Sequence, residues 1–248
     1  IQAATVDIDA SSELQTIDGF GFFGSANVNW QGIGGDPAWF EWVIRDIGLT
    51  MTRQEYYSDE GNQDTQWGSI ETYHKRMKAA SDKLDIPVKF ICSIWSPPSS
   101  MKTNGSLKNG GHVKPDKYNE LAQWLKGCVD RYKNAGIDLY ALSMQNEPAF
   151  EEFYNSCQYT AEEYMNAIKV VGPVVKGAYP NLKLFGVEDM ANAVGAQYTY
   201  GYYRDGFAKD PQAKAQLDVM AVHGYSDGVN PDDASRLKQI WGSAGAFA

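Results

Sequence analysis

The sequence predicts a (β/α)8 barrel, with about six of the eight βα units present. Three observations predict it. Short apolar runs alternate six times with longer runs at helical spacing. The short runs are apolar on both faces, as strands of a parallel sheet buried on both sides must be. Reactive or hydrogen-bonding side chains gather at the ends of those runs, where a barrel builds its site. They are Arg53 and Glu55, Ser93 and Trp95, Asn146 and Glu147, Glu188 and Asp189, then His223 and Tyr225.

An extended stretch at 4–8 lies in residues 1–14, and 15–248 are expected to form the incomplete barrel. "IDGFGFFGS" (17–25) reads as a glycine-interrupted strand. Asp36-Pro37 is a helix-start signal for 36–48, closed by Gly48. Strands follow at 49–57, 87–95, 137–145, 182–188 and 217–225. Helices are predicted at 69–85, 115–136, 160–179, 198–208 and 232–245. The intervening loops at 55–68, 96–114 and 145–159 are long, and the chain stops inside the sixth helix.

Composition narrows the function. At 248 residues, with 43% hydrophobic and 21% charged, the chain can bury one large α/β core. No apolar run reaches the length of a membrane span. A net charge of −9 without a Lys/Arg-rich run gives nucleic acid no basic face to bind. Seven Trp and 15 Tyr suit sugar binding, though they also suit a large core. Trp39, Trp42 and Trp124 lie on helices and are expected to pack. Three isolated histidines offer no metal-ligand spacing, and no cofactor is expected. Cys92, Cys128 and Cys157 show no disulfide framework. The opening "IQAATVD" is compatible with the region after a signal-peptidase site, and a secreted or periplasmic protein is expected.

Two glycine motifs fail on context. "GFGFFG" (19–24) matches G-x-G-x-x-G in letters, but its glycines lie within a strand and no helix begins after them to hold a pyrophosphate. Gly224-Tyr225-Ser226-Asp227-Gly228 matches G-x-S-x-G, but the next helix is delayed and no histidine follows. "QNEP" (145–148) is the informative run. A carboxylic acid just past a strand end, partly desolvated and near other carboxylates, keeps a proton to higher pH. Glu147 is therefore a candidate general acid, Asn146 a partner for a substrate hydroxyl, and Pro148 a restraint on the loop. Arg53, inside an apolar strand, requires a carboxylate partner.

"QTIDGFGFFGS", "TRQEYY", "SIWSPPSSMKTNG", "ALSMQNEP" and "AVHGYSDG" occur in the order seen in family 30 of the glycoside hydrolases, which the chain resembles from about residue 15 to 225. The resemblance implies a retaining enzyme on a (β/α)8 barrel with a small side sandwich, to which residues 1–14, with the extended stretch at 4–8, would give a strand. It implies that Glu147 is the acid/base, that Arg53 supports the nucleophile, and that Trp95, His223 and Tyr225 border the sugar. The family's nucleophile is a second Glu at the end of strand seven, and the chain is expected to end before that strand. Glu55, Glu188 and Asp189 match no nucleophile motif. A complementary C-terminal fragment is thus a possible partner. The implied activity is endo-acting hydrolysis of a β-linked polysaccharide, xylan first, with β-1,6-glucan or β-1,6-galactan as alternatives. A non-catalytic carbohydrate-binding barrel is the alternative of another class.

Overall fold

A computed structural model of the chain describes residues 9, 11, 16–24, 36–58, 63–190, 200–224 and 246–247. Its strands are β1 (Gly21–Phe23), β2 (Met51–Tyr57), β3 (Lys89–Ser96), β4 (Leu139–Ser143), β5 (Lys183–Met190), β6 (Val219–His223) and β7 (Ala246–Phe247). They form one sheet in chain order, and every neighbouring pair is parallel. A doubly wound sheet reverses its order at a switch point. This one does not reverse, so each right-handed crossover adds its helix to the same face. The fold is a partial (β/α)8 barrel.

The helices are α1 (Pro37–Arg45), α2 (Gln63–Leu84), α3 (Tyr118–Asn134), α4 (Ala161–Ala178), α5 (Tyr200–Lys209) and the single turn α6 (Pro211–Lys214). Their starts follow from local chemistry. The Asp36 side chain accepts the Ala38 amide at 2.9 Å, and Pro37 occupies the first turn, where its missing N–H costs nothing. At α4, Thr160 and Glu163 cap each other's backbone amides. Capped and packed in this way, α4 accommodates Pro173 in its interior.

Alternation along the strands separates two apolar layers. Met51, Ile91, Ala141, Phe185, Val219 and Ala221 pack together inside the barrel. Intervening residues such as Phe90, Cys92, Leu142, Leu184 and Met220 join the larger layer between sheet and helices. Cys92, Cys128 and Cys157 are buried free thiols.

The structure departs from the sequence reading at several places. The first strand contracts from 17–25 to Gly21–Phe23. Its glycines are required by close approach. A Cβ at Gly21 would lie 2.6 Å from the Met51 carbonyl oxygen, and one at Gly24 would fall on the Tyr73 hydroxyl. Helix α2 begins six residues early, taking up part of the expected 55–68 loop, and Trp67 in the added segment packs edge-on against Tyr56 and Tyr132. Trp42 is half exposed rather than packed, whereas Trp39 meets Phe22 and Phe40 edge-on and Trp124 packs against Tyr56. The chain also reaches past the sixth helix: Ala246 and Phe247 pair with Met220 and Ala221, so strand seven begins within it. The sandwich strand at 4–8 and the helix at 232–245 lie outside the described residues.

Candidate active site

Strand periodicity sets the site on top of the inner apolar layer. Met51 and Ile91 face the barrel interior, so Arg53 and Ser93, two residues further along, face it one level higher. By the same step His223 follows Ala221 on β6. Arg53 is the hub. Its Nε donates to Ser93 Oγ at 2.8 Å and to Glu188 Oε2 at 2.9 Å, and its Nη2 donates to Asn146 Oδ1 at 2.6 Å. Ser93 Oγ also donates to Glu188 Oε2 at 2.8 Å. The carboxylate partner that Arg53 requires is therefore Glu188, and the two form a salt bridge. The guanidinium lies 4.9 Å from the Trp95 ring centroid and 5.2 Å from that of Phe23, while those two rings stack at 5.7 Å.

Glu147 is fixed by backbone bonds to the neighbouring strands. The Asn146 amide donates to the Ile94 carbonyl at 2.7 Å and the Glu147 amide to the Glu188 carbonyl at 3.1 Å. Gln145 Nε2 holds the Trp95 carbonyl at 2.9 Å. Glu147 and Glu188 both adopt left-handed backbone, with φ of 44° and 55°. Such strain costs about 1–3 kcal/mol per residue and persists only where the surroundings impose it. The Glu147 carboxyl, 6% exposed, meets His223 Nδ1 at 2.7 Å. His223 Nε2 lies 4.0 Å from Glu188 Oε2, so the imidazole bridges two carboxylates.

The electrostatics follow from that bridge. Burial opposes the His223 imidazolium, but Glu147 and then Glu188 outweigh it and push its pKa up to about 9. Burial would likewise raise Glu188, but Arg53 and His223 prevail and hold it below the usual carboxylate value. Asp189 is pushed up to about 7, chiefly by burial, although it accepts the Ala149 and Met190 amides at 2.8 Å each. Burial also raises Glu55, against the pull of Arg53.

Of the residues predicted from sequence, Glu147, Arg53, Trp95, Asn146 and His223 come together here, and Tyr225 lies outside the described residues, as does Ser226. The other two histidines are elsewhere: His74 is buried on α2 with Nδ1 on the Ile70 carbonyl, and His112 pairs with Glu163. Sequence reasoning missed three contributors. Phe23 was read as part of a buried strand, yet it is 44% exposed beside Trp95. Lys102, of the "SPPSSMK" run, is fully buried and donates to Ser96 Oγ at 3.2 Å and the Ser156 carbonyl at 2.6 Å, tying the loop after β3 to the loop after β4. Glu152 is buried, with its pKa pushed up to about 8 chiefly by burial and then by Glu147. A buried Lys could have been suspected from its position among prolines and apolar residues; adjacent glutamates in a loop gave no such signal.

A sequence model of the "Glycosyl hydrolase family 30 TIM-barrel domain" matches residues 53–241. The glucuronoxylanase XynC of Bacillus subtilis (strain 168) is 26% identical over 253 residues, covering 96% of this chain and 52% of that protein. The chain thus spans about half the length of the curated relatives it matches. The crystal structure of a glycoside hydrolase family 30 subfamily 8 xylanase, Xyn30A from Clostridium acetobutylicum, superposes with a TM-score of 0.75 at 25% identity, covering 93% of this chain and 55% of that one. The endo-β1,6-glucanase BT3312 superposes with a TM-score of 0.80 at 21% identity, covering 96% and 58%, a likeness of fold.

Proposed function

Because the chain belongs to glycosyl hydrolase family 30, we propose that it carries the acid/base half of a retaining β-glycosidase acting on a polysaccharide. The observation that carries this reading is the placement of Glu147: a buried carboxyl at a strand end, strained, bonded to His223, and flanked by Asn146 and Trp95. In the first step Glu147 gives its proton to the glycosidic oxygen as the bond to the anomeric carbon breaks. A second carboxylate attacks that carbon, and retaining chemistry sets it about 5–5.5 Å from the first. Its expected position, the end of strand seven, lies beyond Phe247. Water then displaces the sugar, and Glu147 takes the proton back.

The remaining side chains orient. Arg53 occupies the Asn146 carbonyl oxygen, which turns the amide N–H2 into the end that can donate to a sugar hydroxyl. Trp95 and Phe23 offer stacked rings to the apolar face of a pyranose. Xylan is the favoured substrate, supported by the glucuronoxylanase and xylanase among the relatives. A polymer substrate fits the secreted or periplasmic location expected from the sequence. If the rest of strand seven and strand eight reside on a separate polypeptide, that complementary fragment is the partner that completes the site.

The test is sugar release from glucuronoxylan and β-1,6-glucan by wild type and Glu147→Gln, with every polypeptide in the sample identified by mass under denaturing conditions. Removing a general acid is expected to lower turnover about 10²–10⁴-fold. Near wild-type release by Glu147→Gln would end the assignment. Binding of xylo-oligosaccharide with no release, in a sample that contains all eight strands, would establish the non-catalytic alternative.

A further inference from the structure

Strand β5 ends in two adjacent carboxylates that serve different neighbours. Its pairing with β6 slips between Val187 and Asp189, which makes Glu188 the extra residue of a bulge. A bulge re-aims the side chains around it. Glu188 turns to Arg53 and Ser93, while Asp189 turns to the loop after β4. Asp189 is fully buried; its Oδ2 accepts the Ala149 amide and its Oδ1 the Met190 amide, each at 2.8 Å. Hydrogen bonds to an ionised acceptor are about twice as strong as neutral ones.

Ala149 lies two residues past Glu147. Main-chain partners hold the residues before it. The Glu147 amide donates to the Glu188 carbonyl at 3.1 Å, and the Pro148 carbonyl accepts the Tyr159 amide at 2.9 Å. At Ala149 the partner is a side chain. The segment 147–149 is thus tied at both ends to consecutive residues of β5. That restraint has something to oppose, because Glu147 is held at a φ of 44° and relaxes once its surroundings allow. Relaxation would rotate its carboxyl away from His223 Nδ1, now at 2.7 Å. We propose that Asp189 is a positioning residue: by holding the Ala149 amide, it keeps the Glu147 carboxyl on His223 and aimed at the bond to be cleaved. This rests on Glu147 being the acid/base.

Asp189→Leu keeps the volume and removes both acceptor oxygens. Its crystal structure should show Glu147 Oε1 and His223 Nδ1 beyond hydrogen-bond distance. Turnover of xylo-oligosaccharide should fall about 10–100-fold, as misplacement of a reacting group by about 1 Å does. KM should stay within about threefold, since the Trp95 and Phe23 rings are untouched. Asp189→Asn loses the charge but keeps an acceptor for Ala149, so it should recover most of the turnover. The matched control is Asp218→Leu. Asp218 Oδ2 accepts the Leu184 amide at 2.8 Å near the opposite end of β5, and its removal should leave both the contact and turnover unchanged. A Glu147–His223 contact that stays closed in Asp189→Leu would overturn the proposal. So would an Asp189→Asn variant as impaired as Asp189→Leu, because the charge rather than the bond would then be responsible. Should Asp189→Leu not fold, the wild type still decides. With 15N-labelled alanine, the Ala149 amide proton must shift as Asp189 titrates; a flat response over about two pH units either side of neutrality would show that the bond is not made. The structural readings need no substrate. If the contact opens in Asp189→Leu while wild type cleaves no glycoside, the positioning of Glu147 by Asp189 stands and the glycosidase reading falls.

Discussion

Arg53 and Glu188 come from strands 135 residues apart in the chain and meet at 2.9 Å, with the carboxylate almost wholly withdrawn from water. Neither is tolerable alone. Arg53→Met leaves Glu188 ionised and uncompensated, and removing one partner of a buried pair costs about 3–5 kcal/mol. The expected loss is near the lower end of that range, because His223 still faces Glu188. Urea denaturation of Arg53→Met, Glu188→Met and the double variant checks this. The double variant should regain part of the stability, and strictly additive losses would show that the pair is not coupled.

His223 should remain an imidazolium well above neutrality. Its titration, followed through the ring nitrogens by NMR, is expected to have a midpoint at about 9, and Glu147→Gln should lower it. Because the folded-state pKa lies above the ordinary 6.5, this group contributes stability that is complete below about pH 6.5 and lost as the pH rises through about 9. A midpoint near 6.5 would mean that the carboxylate bridge does not form in solution.

Phe23 is expected to matter for binding more than for folding. Its ring is 44% exposed and packs on Trp95 and Arg53. Stacked aromatic pairs contribute about 0.5–1.5 kcal/mol, so Phe23→Ala should change thermal stability by a degree or two while weakening xylo-oligosaccharide affinity roughly 2–10-fold, the same range of energy. Calorimetric titration against wild type decides it. Unchanged affinity would place Phe23 outside the sugar path.

Gly24→Ala tests the packing of β1. The added methyl meets the Tyr73 hydroxyl, which itself bonds Thr52 Oγ1 at 2.8 Å. Overpacking of this kind costs about 1–3 kcal/mol. Tyr73→Phe removes the obstructing oxygen, so the double variant should lose less than the sum of the two single changes. Equal losses would indicate that β1 simply shifts.

These residues also show where sequence is informative. Arg53 could be read because an arginine in an apolar strand demands a carboxylate, but its choice of Glu188 over Asp189 or Glu55 depends on strand register, which has no local signal. Glu147 was legible from the Q-N-E-P run, whereas the adjacent Glu151-Glu152 resembles any solvated loop until the fold buries one of the two. The barrel was legible from the alternation together with the polar side chains gathered at the strand ends. The start of α2 was not, since its local sequence is a poor helix former and the contacts of Trp67 with Tyr56 and Tyr132 come from distant parts of the chain. Strand seven was missed for the opposite reason: two residues are too few to express a period.

The separation of the two apolar layers has a consequence for how this protein can change. The site side chains stand on the same strand face as the small inner layer of Met51, Ile91, Ala141, Phe185, Val219 and Ala221, and the helices pack on the other face. Replacements among the helix-facing residues can raise or lower heat resistance while the reacting groups keep their alignment. Gain or loss of one methylene in the inner layer instead tilts the floor beneath Arg53, Ser93 and His223. Selection for durability and selection for substrate therefore act on different faces of the same strands.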